Sequence, residues 1–382
     1  MSKPLAAVVL AGLLACSCLS SPGTTAGDAG GADDGGAADA GDGAVADAGG
    51  DGDRDDGSAV CQASSCTGGV CFPDGCHAVT TLVPTMYEAT RKIVLTTDTV
   101  FFIDMLETSG GFSSHVGSVP KAGGPTRGYF VPTGAGSDVL ADFATDGTNV
   151  FVTITTQQVN GSAPGIYRCD AIGCATTAPF ATDGSALSLS VQGGFVYWVD
   201  TPGGDVFRCP VTGCGGGPEN VAPAPVGAAG TKTNLITTDA SNVYVAYGSG
   251  LLGVAPLGAG GAVTSLGSGT VGFRDLVVDS TNVYVADVNG VVSRCAKAGC
   301  AGGLATIATK ANARSLATDG TTLFWLGAPG GTVWSAPVGG SAARAVFAAP
   351  DGFERSPAPA RALAVDATSF FFGGEGVFRA NR

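Results

Sequence analysis

The chain has 382 residues, 62 of them Gly and 20 Pro, and only 13% are charged. So many helix breakers argue against a long-helix architecture. A formal net charge of −13 and a pI near 4.4 argue against DNA or RNA as a partner. With 12 Cys and 2 His, acid–base chemistry has few groups to draw on.

In chain order, the first element is an apolar run, Pro4 to Ala15, preceded by Lys3. It is too short to span a bilayer and has the length of an export-signal core. It ends in Leu13-Leu14-Ala15-Cys16, which resembles the bacterial lipobox, although Leu14 is bulkier than the usual residue there. The resemblance implies a signal peptide over 1–15, cleavage before Cys16 and lipid attachment to that Cys. It also implies an exported protein anchored at the outer membrane or cell surface through acyl chains, without a transmembrane helix. An ordinary signal peptide cut nearby is the alternative, with Cys16 removed or disulfide-bonded.

Residues 16–60 then read as anchor and tether. The stretch 21–60 is low-complexity Gly, Ala and Asp, with ten Asp and one Arg. Such a segment cannot bury a core, and it carries most of the negative charge. Asp51 to Gly57 superficially looks like a calcium loop. It fails because the sharp-turn Gly comes one place late and Gln62 stands where the bidentate Glu is required.

Export makes the cysteines candidates for disulfides. Cys61, Cys66, Cys71 and Cys76, interleaved with Gly68, Gly69, Pro73 and Gly75, read as a small two-disulfide knot over 61–77. Four Cys allow three connectivities, and a zinc knuckle using the adjacent His77 is the sharper alternative. Cys18 has no obvious partner.

Residues 78–382 repeat. The anchor is a short β-branched and aromatic strand: Val100-Phe101, Val150-Phe151, Val196-Tyr197, Val243-Tyr244, Val283-Tyr284, Leu323-Phe324 and Phe370-Phe371. Successive aromatics lie 50, 46, 47, 40, 40 and 47 residues apart. A period of this length, with several short strands per unit, predicts an all-β, seven-bladed β-propeller. One unit shows the grammar: strand A at 274–279, B at 283–287, C at 291–295 and D at 302–309. The last unit has A, B and C and then the chain ends. Its missing fourth strand is supplied by Ala78 to Val83, which predicts one-plus-three closure and avoids an open edge.

The segment from Val277 to Asp287 resembles the NHL repeat, and Val196 to Gly213 resembles the YWTD repeat of receptor-type propellers. Both resemblances imply a β-propeller and specify fold far better than function. Combined with the lipobox and acidic tether, the paired-Cys units look like uncharacterised propeller lipoproteins of myxobacteria.

Three blades carry a hairpin Cys pair, Cys169/Cys174, Cys209/Cys214 and Cys295/Cys300, while blade 4 lacks both members, having Ala255 and Gly260 there. Cysteines that come and go in pairs are expected to be bonded to each other as staples. Catalytic motifs are absent, and no cofactor or metal is expected. Five Asp recur five residues before the strand B aromatic: Asp146, Asp239, Asp279, Asp319 and Asp366. The following Gly, Ala or Ser, then Thr, Ser or Asn, marks them as turn residues, with a ring of metal-binding carboxylates as the alternative.

The more informative column lies where strand A begins: Arg91, Ala141, Leu187, Asn234, Arg274, Arg314 and Arg361. Its four Arg become neighbours when the ring closes, at one mouth of the central channel. Guanidinium groups suit carboxylate, phosphate or sulfate, so Arg91, Arg274, Arg314 and Arg361 are candidate anion ligands. The alternative is pairing with acidic neighbours such as Asp275 or Glu354. A second column, Arg168, Arg208, Arg294 and Arg379, reads as an outer-face or interblade position. The expected function is non-catalytic binding of a protein or anionic glycan partner at the cell envelope. Runner-up readings are a hydrolase or lyase acting on an anionic sugar or lactone, and a scaffold subunit of an envelope complex.

Overall fold

The computed structural model describes residues 69–382, except 73–74, 85–88, 109–110, 130–139, 155–162, 171–172, 175–178, 183–185, 202, 229–233, 310–311, 328–330, 341, 348–361 and 375. Cys16, Cys61 and Cys66 lie outside the described residues. Among the described residues, every regular element is a strand, and the strands form seven antiparallel sheets.

Blade 1 comprises Ala89–Leu95, Thr99–Thr108, Gly111–Pro120 and Arg127–Tyr129 as strands A to D. Blade 2 comprises Leu140–Thr145, Val150–Ile154, Gly165–Asp170 and Gly173–Cys174; blade 3, Leu189–Gln192, Phe195–Val199, Val206–Pro210 and Glu219–Ala222. Blade 4 comprises Leu235–Thr238, Asn242–Ala246, Leu251–Pro256 and Thr264–Ser268; blade 5, Phe273–Val278, Asn282–Asp287, Val292–Ala296 and Ala305–Ala308. Blade 6 comprises Ala313–Thr318, Thr322–Gly327, Val333–Pro337 and Arg344–Phe347. Blade 7 takes Ala362–Val365, Ser369–Gly373 and Val377–Asn381 from the C-terminal end and Gly75–Val83 from the N-terminal end. Val79 pairs with Ala380 and Thr81 with Phe378, so the ring closes as one strand plus three.

The repeat's anchor explains why the sheets pack. Consecutive strand residues point to opposite faces. In blade 3, Val196 and Trp198 therefore pack with Phe151 and Ile166 of blade 2. Tyr197 and Val199 pack on the other side with Ile236, Val243 and Val245 of blade 4. A strand buried on both faces reads as a continuous apolar run, and the seven anchor pairs are all fully or almost fully buried.

Two features extend the sequence reading. Gly69–Phe72 forms a fifth, outermost strand on blade 7, with Cys71 directly opposite Cys76 in its hairpin, and Cys76 is disulfide-bonded. The described part of the expected knot is thus a hairpin built onto the closing blade. Buried Val70 and Phe72 hold it there by packing with Phe347 and Phe370. In the C–D hairpins, Cys209–Cys214 and Cys295–Cys300 are bonded, with Cα atoms 5.2 and 5.4 Å apart. In blade 2, Cys174 stands opposite Cys169, which is also disulfide-bonded. Replacing Cys209 and Cys214 together by Ser is expected to cost about 2 kcal/mol in urea unfolding, the entropy of closing so short a loop. No measurable change would show that the hairpin is already ordered without its staple.

Candidate functional site

Strand A is the innermost strand of each blade, and the seven strands A enclose a central cavity of about 480 Å³. Arg91, Arg274 and Arg314 all line it. Arg361 lies outside the described residues. The column therefore puts at least three guanidinium-bearing residues on one cavity wall, from blades 1, 5 and 6. Ala141 and Leu187 occupy the same position opposite, on blades 2 and 3. In blade 4, Asn234 is buried and spent on the backbone: it accepts from Gly248 N–H at 3.0 Å and donates to the Asp200 carbonyl at 3.3 Å.

The three Arg share a backbone device that the sequence does not display. Strand pairing slips between Thr90 and Lys92, between Phe273 and Asp275, and between Ala313 and Ser315. Arg91, Arg274 and Arg314 are thus each the extra residue of a β-bulge. A bulge takes its residue out of the ladder and re-aims its side chain. Arg274 is exposed, while Arg91 and Arg314 are half-buried. The pairing of Arg274 with Asp275 is not formed. The Asp275 carboxylate instead accepts backbone N–H groups of Leu276 at 2.8 Å and Leu316 at 2.6 Å. Among the described residues Arg274 has no ion pair.

One residue further along the chain from the Arg column, five of the seven blades carry an interblade latch. Lys92 Nζ donates to Asp142 Oδ1 at 2.7 Å and to the Phe143 carbonyl at 2.9 Å. Asp142 Oδ2 accepts from Leu189 N–H at 2.8 Å, and Ser188 Oγ from Ile236 N–H at 3.2 Å. Asp275 receives Leu316, as above, and Ser315 Oγ receives Leu363 N–H at 3.1 Å. Each latch joins a side chain of one blade to strand A of the next. Burial raises the Asp275 pKa, against the pull of its two N–H bonds and of Lys92. Asp142 and Asp275, the carboxylates that line the cavity, are thus bonded to the scaffold, and Arg91, Arg274 and Arg314 line the same cavity. These latch positions carry Lys, Asp or Ser, so no motif in the sequence announces them. Their only signal is recurrence one place after the Arg column.

The other columns resolve as scaffold. Each of the five turn Asp accepts, through Oδ1, the N–H groups two and three residues on, for example Thr281 and Asn282 at 2.7 Å each for Asp279. Partial burial pushes these carboxyls up, but the hydrogen bonds win and hold all five below the usual range. Lys297 and Lys121 add ion pairs across blade boundaries, to Asp239 at 2.6 Å and Asp366 at 2.9 Å. The second Arg column is interblade. Arg168, Arg208, Arg294 and Arg379 donate to the carbonyls of Val211, Leu257, Val338 and Lys121 in the next blade, at 3.0, 2.6, 2.7 and 2.7 Å. His77 stacks on Phe72 in the outer hairpin, and among the described residues no three His, Cys, Asp or Glu cluster as metal ligands.

No protein-family model matches the chain, and no curated protein does. Solved structures match its shape. One is a catalytically inactive virginiamycin B lyase from Staphylococcus aureus with quinupristin: TM-score 0.56, 11% identity, covering 80% of this chain and 99% of that one. Another is the Pan2 WD40 domain of Neurospora crassa: TM-score 0.56, 10% identity, covering 79% and 95%. A third, the computationally designed Ika8 protein, gives 0.51 at 10% identity over 79% of this chain and 99% of that one. Identities this low establish architecture alone. The seven closed sheets, their shared central cavity and these likenesses make the chain a seven-bladed β-propeller.

Proposed function

We propose that the protein is an exported, lipid-anchored envelope protein whose propeller binds an anionic group of a glycan or protein partner at the channel mouth, without catalysis. The observation that carries this reading is the bulged arc of Arg91, Arg274 and Arg314 on one cavity wall, with Arg274 exposed and without an ion pair among the described residues. Guanidinium groups presented side by side form charge-assisted, bidentate bonds to carboxylate or sulfate. The enclosing strands leave them a less hydrated setting than open surface.

The test is thermal unfolding with glucuronate or sulfate. At a ligand concentration about 100-fold above Kd, binding stabilises the native protein by about 2.7 kcal/mol. Wild type is expected to shift upward in Tm, and the Arg274→Ala/Arg314→Ala variant to lose the shift while keeping its own Tm without ligand. A wild-type protein indifferent to both anions would sink the reading.

A further inference from the structure

Asp104, at the seam between blades 1 and 7, has only 1% of its surface exposed. Register places it directly opposite Thr90 on strand A and His115 on strand C. Residues opposite one another share a face of the sheet, so Thr90, Asp104 and His115 form one row across blade 1. The row faces blade 7: Thr90 N–H donates to the Gly374 carbonyl at 2.9 Å. The Thr90 hydroxyl lies 2.8 Å from Asp104 Oδ1 and 3.2 Å from the Gly376 carbonyl.

A hydroxyl has one proton to give. If Asp104 is ionised, Thr90 can satisfy either the carboxylate or Gly376, not both. If Asp104 carries a proton on Oδ1, the carboxyl donates to Thr90, and Thr90 donates to Gly376. Only the protonated state makes both bonds. The other oxygen, Oδ2, is buried without a hydrogen-bond partner, and His115 Nε2 lies 3.9 Å away, beyond hydrogen-bond reach. An ionised carboxylate there is desolvated without compensation. Among the described residues, strand C brings His115 to Asp104, strand A brings Thr90, and blade 7 brings the backbone carbonyls of Gly374 and Gly376 to Thr90. Burial pushes the Asp104 carboxyl up to about 7, against the Thr90 hydrogen bond, and pushes His115 down.

The bulge that presents Arg91 begins at Thr90 itself. We infer that Asp104 is a proton-binding site linked to the anion site: proton uptake removes a buried negative charge bonded to Thr90, where the Arg91 bulge starts, and tightens the mouth's hold on a carboxylate or sulfate. This inference rests on the anion-binding reading. By linkage, a bound anion must in turn raise the proton affinity of Asp104.

The experiment is calorimetric titration of the full chain with glucuronate and with sulfate, which stay ionised throughout, at about pH 6 and about pH 8. Wild type is expected to bind about tenfold more tightly at the lower pH. Asp104→Asn is expected to bind tightly at both, and His115→Gln to keep the pH dependence. Wild-type binding that ignores pH overturns the inference, as does pH dependence that survives in Asp104→Asn and disappears in His115→Gln. Absence of binding at both pH values overturns the anion reading itself. Should Asp104→Asn fail to fold, wild-type titrations in buffers of different ionisation enthalpy give the answer: net proton uptake on binding near neutral pH supports the link, and none overturns it.

Discussion

A chain that begins at Pro84 is expected to lose cooperative folding. It lacks the strand that closes the ring, Gly75–Val83, and the outer strand Gly69–Phe72. Val70, Phe72, Leu82 and Val83, all buried, leave two core clusters with them. Burial of side chains of this size stabilises by about 1.5–3 kcal/mol each, so their summed loss rivals the roughly 5–15 kcal/mol by which domains are stable. The truncation also exposes the edge of Val377–Asn381, a template for pairing with other chains. Circular dichroism, size exclusion and urea unfolding would show a broad transition or aggregation. A milder variant, Val83→Asp, is expected to destabilise strongly while still folding. A truncated protein that remains monomeric, with a sharp transition, would mean that three strands suffice for blade 7.

Asp104→Asn is expected to stabilise the protein at alkaline pH and to do little in acid. The native carboxyl is raised to about 7, whereas an unfolded chain titrates near its ordinary value of 3.8. Between those values the unfolded chain gives up its proton and the folded one holds it. Native stability therefore falls as pH rises through this window and levels off above the folded pKa. The full cost is on the order of 4 kcal/mol. Asparagine keeps the shape and polarity and never ionises. Unfolding free energies from urea titrations should thus separate the variant from wild type by a few kcal/mol at about pH 8, and converge at about pH 4. A constant offset at both pH values would show that Asp104 is ionised as easily in the fold as outside it.

The architecture was legible in the sequence because of how propellers bury strands. Val196 and Tyr197 serve two different interblade cores, so the requirement for two adjacent apolar residues recurs in every blade. The closing strand was legible by difference, since the last repeat stops after three strands. The site was legible only in part. A column of arginines can be read in one dimension, but a bulge is a property of two strands, and nothing in Thr90-Arg91-Lys92 alone reveals the slipped register. The latches escaped because their acceptors are mixed and many of their partners are backbone groups. The second Arg column could be placed between blades only once carbonyls such as those of Leu257 and Val338 were in position. The row of Thr90, Asp104 and His115 needed two registers at once. The outer hairpin was hidden by composition: a Cys- and Gly-rich stretch reads as a knot, while Val70 and Phe72, which decide its place, are two residues among many.

Both described ends of the chain enter the same sheet. Gly69 begins the outermost strand of blade 7, and the last strand of that blade ends at Asn381. A mechanical load applied between the two ends is therefore carried by the pairing of Gly75–Val83 with Val377–Asn381, and the other six blades are bypassed. Stretched in an optical trap, the molecule should yield first at that seam, in a short initial event, with the remaining blades following as the opened ring unwinds.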